Sequence, residues 1–237
     1  MKLRHLAGKA IHRVRKQIRS TRQISYAQCG EDIIVRFIFN ALRIKQPSYL
    51  DLGAHTPVHL SNTFLFYRTG SRGVCVEPDP TLFAAFKRKR PHDICLNVGV
   101  GTKEDVANFY IMTSRSLNTF AQAEAERYQS YGKQRIEAIV PIQLNPINQI
   151  ILQNFSTPPH FLSIDIEGLE LPILQELDFA ALRPMVLCVE TIEYTEDRTE
   201  QKRRDLIEFV QSKGYMIYAD TYINTIFVDR QIWLNRP

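Results

Sequence analysis

The sequence predicts an α/β fold with a doubly wound, mostly parallel sheet, and three observations carry that prediction. Residues 48–80 read SYLDLGAHTPVHLSNTFLFYRTGSRGVCVEPDP. A short apolar run bearing Asp51 is followed by the small-residue turn Gly53-Ala54, a helical stretch opened by Ser61-Asn62-Thr63, and a second apolar run ending in Glu77. That is the order of a nucleotide-binding βαβ unit, in which a glycine lets backbone approach a ligand and a strand-tip carboxylate accepts hydrogen bonds from both ribose hydroxyls. Second, four strand-like runs end in acids, at Asp51, Glu77, Asp165 and Glu190, and ligands of such sheets bind at the carboxyl ends of the strands. Third, residues 215–219 and 225–229, joined by 220–224, read as an antiparallel hairpin on the edge of the parallel sheet.

The elements follow in chain order. Residues 1–22 place Leu3, Leu6, Ala10, Ile11, Val14 and Ile18 at helical spacing with charges between them. Such a helix suits an anionic membrane surface, packing on the domain or a second subunit, or a solvated extension; its apolar face lacks the Trp or Phe of a membrane binder. The stretch Ser25-Tyr26-Ala27-Gln28-Cys29-Gly30-Glu31-Asp32 leads into an apolar-rich helix whose first turn holds the two acids, as the helix dipole favours. A helix is predicted over 80–89, and Lys87, Arg88, Lys89 and Arg90 read as its solvated basic end. Residues 93–98 read as a third strand, Gly99-Val100-Gly101 as a turn, and 106–112 and 139–144 as further strands. Between these last two lies the polar segment 113–135, too long for an ordinary connection and expected to be a lid or acceptor-binding insertion. Helices over 146–154 and 169–177, a strand over 185–190 and a helix over 205–213 complete the pattern, with Pro172 tolerable in a first turn. No linker divides the chain, so a basic extension over 1–24 and one domain over 25–237 are expected.

Composition narrows the class. The 237 residues are 44% hydrophobic, enough for a sizeable core. No run reaches the roughly 18 apolar residues of a membrane span, and the start lacks the pattern of a secretory signal. The net charge of +5 is unevenly placed: eight of the 30 Lys and Arg fall in residues 1–22 with no acid, so the remaining 22 face 25 Asp and Glu. The body is therefore not basic, and nucleic acid is not expected as a partner. Cys29, Cys75, Cys95 and Cys188 match no zinc spacing, and three of them sit in apolar runs, which suits reduced thiols and a cytoplasmic location.

The chemistry-bearing residues are mostly acids. Asp165 and Glu167, two apart on an extended chain, share a face, and Glu190 comes from a neighbouring strand. Together they could position a substrate hydroxyl, act as general base or hold a hard divalent ion, the last an unfavoured alternative with no ligand assigned. His55 follows the glycine turn and is placed to touch a ligand or orient a hydroxyl. A His55/His59 metal pair is disfavoured, because Pro57 breaks the helical spacing it needs.

Taken in order, YAQCGED, YLDLGAHTPVHLSNT, VCVEPDP, NVGVG and SIDIEGLE resemble the FkbM-type methyltransferases, from about residue 25 to 230. The resemblance implies a Rossmann-like sheet of the class I methyltransferase type. It implies S-adenosylmethionine as cofactor and methylation of a hydroxyl on a sugar, glycan or other secondary metabolite. It implies that Asp51, Gly53 and Ala54 form the first cofactor loop, that Glu77 binds the ribose, and that Asn97 and Val98 flank the adenine. Asp165 then lies beside the transferred methyl, and Gln28 and Asp32 belong to an N-terminal signature that folds over the cofactor. Ser61, Asn62 and Thr63 match a subgroup signature, and Asn62 joins the cofactor-binding candidates. Ser163 departs from the lysine common in the family's pattern, which bears on acceptor chemistry more than on cofactor binding. Asp165 is expected to be the base, with Glu167, Glu190 and His55 as alternates. A nicotinamide-dependent sugar oxidoreductase would want G-x-G-x-x-G where this chain has one glycine, and a non-catalytic adenosyl-binding subunit is the other alternative. The oligomeric state is not legible.

Overall fold

The computed structural model describes residues 23–166, 168–192 and 200–237. The expected helix at 1–22 and Glu167 lie outside the described residues. The strands are β1 (Tyr49–Leu52), β2 (Gly73–Val76), β3 (Ile94–Leu96), β4 (Gly99–Gly101), β5 (Asp105–Met112), β6 (Ile136–Pro146), β7 (Phe161–Ile164), β8 (Val186–Glu190), β9 (Tyr215–Asp220) and β10 (Asn224–Asp229). The helices are α1 (Glu31–Ala41), α2 (Phe64–Arg68), α3 (Pro80–Lys89), α4 (Gln122–Ser130), α5 (Ile147–Asn154), α6 (Glu170–Glu176), α7 (Arg204–Ser212) and α8 (Arg230–Leu234). Seven strands form one sheet in the order β3-β2-β1-β7-β8-β10-β9. Pairing is parallel from β3 through β8, and β10 runs antiparallel to both β8 and β9. The expected edge hairpin is present, with its second strand folded back between β8 and β9.

Strand alternation sorts the side chains. Leu50, Leu52, Val74, Val76, Leu162, Ile164, Leu187 and Val189 face one way, into a core completed by α5, α6 and α7. Tyr49, Cys75, Phe161, Val186 and Cys188 face the other way, against α1, α2 and α3. The same period puts Asp51, Glu77, Ser163, Asp165 and Glu190 on this second side. Register then aligns them, since Asp51 pairs with Ser163 and Ser163 with Cys188. One step further along β7 and β8, past the paired Ile164 and Val189, come Asp165 and Glu190.

Two expectations are corrected. Gly99-Val100-Gly101 is not a turn but strand β4, parallel to β6 in a small sheet ordered β4-β6-β5. A Cβ on Gly99 would lie 2.3 Å from Phe120 and 2.5 Å from Leu144, so the glycine serves side-chain packing across the strand. Arg90 is not part of a solvated helix end. It is fully buried, its Nε donates to Asp93 at 2.7 Å, and its guanidinium stacks on Tyr49, Tyr67 and Phe86 at 5.3–5.6 Å. A planar, weakly hydrated guanidinium tolerates such a site where an ammonium would not. Asp93 is satisfied in turn by the Tyr49 hydroxyl and the Gly73 amide.

Removing one partner of a buried ion pair leaves the other uncompensated, which costs about 3–5 kcal/mol. Arg90→Ala is therefore expected to lower urea-unfolding stability by that amount, and a loss below about 1 kcal/mol would contradict the pairing.

Candidate active site

A cavity of about 410 Å³ opens at the carboxyl ends of β1, β2, β7 and β8, beneath a roof from residues 114–120. Its floor begins at Gly53, where φ is +74°. A Cβ there would sit 1.7 Å from the Asp165 carbonyl oxygen, so only glycine allows the β1 and β7 ends to meet. The Gly53 and Ala54 amides both donate to the Val76 carbonyl, at 3.1 and 3.0 Å. The chain after β1 is thus folded onto the end of β2.

Glu77 occupies that end. Its carboxylate accepts the His55 amide at 2.7 Å and the Asp79 amide at 2.8 Å. Burial pushes its pKa up to about 8 against those two hydrogen bonds. Each carboxylate oxygen has a further lone pair, and the residue lines the cavity. Asn97 does not face the cavity; its Nδ2 holds the carbonyls of Glu77 and Pro78, both at 2.9 Å.

Asp51 is buried beside a relay of donors. Arg90 donates to the Thr63 hydroxyl at 3.0 Å, and Thr63 donates to Asp51 at 2.5 Å. Asn62 donates to Ser163 at 3.1 Å, and Ser163 in turn bonds Asp51. Burial raises the Asp51 pKa, opposed by the Arg90 charge and these hydroxyls. Asp165 is half-buried at the cavity wall. Burial, with Glu170 and Asp51 nearby, pushes its pKa up to about 7, while a hydrogen bond with Glu190 opposes the rise. Glu170 fixes the adjoining turn, accepting the Ile166 and Gly168 amides at 3.0 and 3.2 Å.

Of the predicted site residues, the cavity brings together Gln28, Asp51, Gly53, His55, Asn62, Glu77, Asp165 and Glu190. Burial lowers the His55 pKa, opposed by the Asp79 charge. Asp32, Ala54, Asn97 and Val98 are not at its wall. Asp32 instead ties down the N-terminal signature, accepting Ser25 Oγ at 2.6 Å and the Tyr26 amide at 2.8 Å. Ala54 packs into the core with α1 and α2. Sequence reasoning overlooked Arg115 and Asn118, roof residues that hold Asp79 at 2.7 and 3.0 Å. Asp79 caps the helix that begins at Pro80, but nothing local marks a partner 36 residues away. Among the described residues, no group of His, Cys, Asp and Glu could hold a metal ion. No helix among them is long and apolar enough to cross a membrane.

The sequence of residues 51–217, more than half of the chain, matches the family model described as the methyltransferase FkbM domain. The chain belongs to the FkbM methyltransferases. It is accordingly a methyltransferase that uses S-adenosylmethionine, and the nicotinamide alternative falls. No curated protein matches the chain. Among solved structures it is similar to a TehB-like SAM-dependent methyltransferase from Corynebacterium glutamicum, at 10% identity and TM-score 0.43 over 95% of this chain and 98% of that one. It is also similar to an O-methyltransferase from Bacillus cereus in complex with SAH, at 12% identity and TM-score 0.45 over 87% of this chain and 82% of that one. Likenesses this loose add nothing to the strand order, which stands on its own.

Gly53→Ala is expected to cost more than the about 1–2 kcal/mol of a left-handed alanine, because the methyl group also displaces the Asp165 backbone. Urea unfolding measures it, and a loss within about 1 kcal/mol would contradict the close approach.

Proposed function

We propose that the enzyme transfers the methyl group of S-adenosylmethionine to a hydroxyl of a sugar, a glycan or another secondary metabolite. The observation that supports this reading best is the gathering of Asp51, Glu77 and Asp165 around one cavity. The donor set suits the cofactor. Asp51, Glu77, Asp165, Glu190 and Glu200 line the cavity, and Arg115, which lines it with them, is already paired with Asp79. Such a cluster of acids favours a ligand carrying a sulfonium and an ammonium, whose positive charge would in turn draw the raised pKa values of Glu77 and Asp165 down. Glu77 would take the ribose hydroxyls, with Gly53 allowing close backbone approach. The adenine wall moves from Asn97 and Val98 to Gly99, Val100 and Phe120, which do line the cavity.

When bound, S-adenosylmethionine supplies a methyl group already activated on sulfur. The protein's own task is to align an acceptor oxygen at about 3–3.5 Å and remove its proton. Asp165 would take that proton as the oxygen attacks, and its raised pKa lies near neutral pH, where a general base works best. Glu190, bonded to Asp165, orients it. Ser114 and Ser116 of the roof line the cavity together with Gln134, a polar surface suited to a polyhydroxylated acceptor. We place the enzyme in the cytoplasm, acting on a small molecule or glycan, with residues 1–22 as a candidate membrane-peripheral contact.

Methyl transfer is tested by S-adenosylhomocysteine release across a panel of glycans and hydroxylated metabolites. Asp165→Asn is expected to lower kcat by about 100-fold or more while leaving S-adenosylhomocysteine affinity nearly unchanged. The unaltered enzyme should gain kcat/KM as pH rises through about 7, the sign required of a base that must be ionised, and Asp165→Asn should lose that inflection. Equal losses in kcat and affinity would contradict the assignment. Glu77→Ala removes a buried acceptor of two hydroxyls, at about 1.5–3 kcal/mol each. Calorimetry is expected to show affinity for S-adenosylhomocysteine falling by about 100-fold or more, and an unchanged affinity would remove the ribose role.

A further inference from the structure

The roof of the cavity meets the Glu77 loop at Asp79, a fully buried acid that does not line the cavity. Its Oδ1 caps α3, accepting the Thr81 amide at 2.7 Å and the Leu82 amide at 3.3 Å. Its Oδ2 turns the other way and takes Arg115 Nη1 at 2.7 Å and Asn118 Nδ2 at 3.0 Å. The Asp79 amide donates to Glu77, and Asn97 holds the two carbonyls between them. The group facing the cavity and the group holding its roof are therefore two residues apart on one clamped loop. On the roof side, Asn118 Oδ1 accepts the Met112 amide at 2.8 Å. Arg115 also reaches Glu137 at 3.5 Å, but that acid is 47% exposed, and an exposed pair holds little by itself. Burial pushes the Asp79 carboxyl up, yet the Arg115 hydrogen bond, the two amides and the Arg115 charge together hold it below the usual range.

We propose that Asp79 is a positioning residue that makes residues 113–119 and the Glu77 loop one rigid body, so that ligand engagement at Glu77 also tightens the roof. Asp79 touches neither cofactor nor acceptor. It acts through Arg115 and Asn118, whose segment is tied to its own small sheet by the Tyr110–Thr119 bridge, by hydrogen bonds from Thr113 and Ser114 to Arg135 and Gln134, and by buried Leu117, while Asp79 joins it to the Glu77 loop. Loss of that link leaves residues 113–119 free to move apart from the Glu77 loop and lowers the free energy of their local opening. The inference rests on the cofactor-side assignment of Glu77 proposed above.

The test compares amide hydrogen exchange of residues 113–119 in the full chain, its Asp79→Asn and Arg115→Gln variants, and the double variant. Asparagine caps a helix as well as aspartate does, so Asp79→Asn keeps α3 while losing the charge that Arg115 needs. Exchange over 113–119 is expected to rise about tenfold or more in each single variant, with α3 unaffected. The double variant should be no faster than either single, as for two ends of one interaction, and Arg115→Lys should recover much of the protection. Saturating S-adenosylhomocysteine is expected to slow exchange over 113–119 in the unaltered protein. It should still bind Asp79→Asn within about threefold of the original affinity but without slowing the roof. Unchanged roof exchange in Asp79→Asn, equal acceleration in α3, or slowing retained in the variant would overturn the proposal. Failure of S-adenosylhomocysteine to bind the unaltered protein would overturn the assignment of Glu77 and this inference with it, whereas binding alongside unchanged roof exchange would overturn the role of Asp79 alone.

Discussion

The contact between Gly53 and the backbone of Asp165 governs the geometry of the site. It brings the ends of β1 and β7 closer than any side chain would permit, and the pleat then does the rest. Because successive residues alternate faces, the carboxylates of Asp51, Glu77, Asp165 and Glu190 all emerge on the side covered by α1, α2 and α3. A slip of one residue in any of these strands would exchange an acid with its apolar neighbour, burying charge among Leu52, Val76 and Ile164. The apolar core facing α5, α6 and α7 thus fixes the register of the chemistry on the opposite face.

Holding several acids at one partly buried rim is costly, and the fold meets the cost in two ways. Some carboxylates are given donors: two amides for Glu77, a threonine hydroxyl relayed from buried Arg90 for Asp51, and two amides for Glu170. The Asp165 carboxyl is instead pushed up to about 7 by burial and the neighbouring acids, so that near neutral pH it can give or accept a hydrogen bond. The structural and chemical roles of the acids are separated by this accounting. Asp93, Glu170 and Asp79 have their oxygens taken up by protein donors, whereas Glu77 and Asp165 keep part of theirs toward the cavity.

Much of this was legible in the sequence, and what was hidden has physical reasons. Helix α2 follows Ser61-Asn62-Thr63, and helix α3 begins at Pro80 and ends in a basic run, so local chemistry marked both. The strand-end acids declared the rim, and the edge hairpin was visible from its turn. Strand β4 was not, because Gly99 and Gly101 carry the signature of a turn; the smallness of Gly99 is needed instead by Phe120 and Leu144, more than 20 and 40 residues away. Arg90 was hidden by its own neighbours, since Lys87, Arg88 and Lys89 make it look like one of four solvated charges. Its burial depends on Tyr49, Asp93 and Thr63 arriving from other elements. Asn97 and Asp32 were placed near the cofactor by resemblance, and both turn out to brace the loops that line the cavity.

The measurement that bears most directly on this account is a crystal structure of the enzyme with S-adenosylhomocysteine. Both ribose hydroxyls are expected on Glu77, the adenine between the β2 end and Phe120, and the sulfur facing Asp165. A nucleoside bound with its ribose away from Glu77, or with its sulfur turned from Asp165, would contradict it.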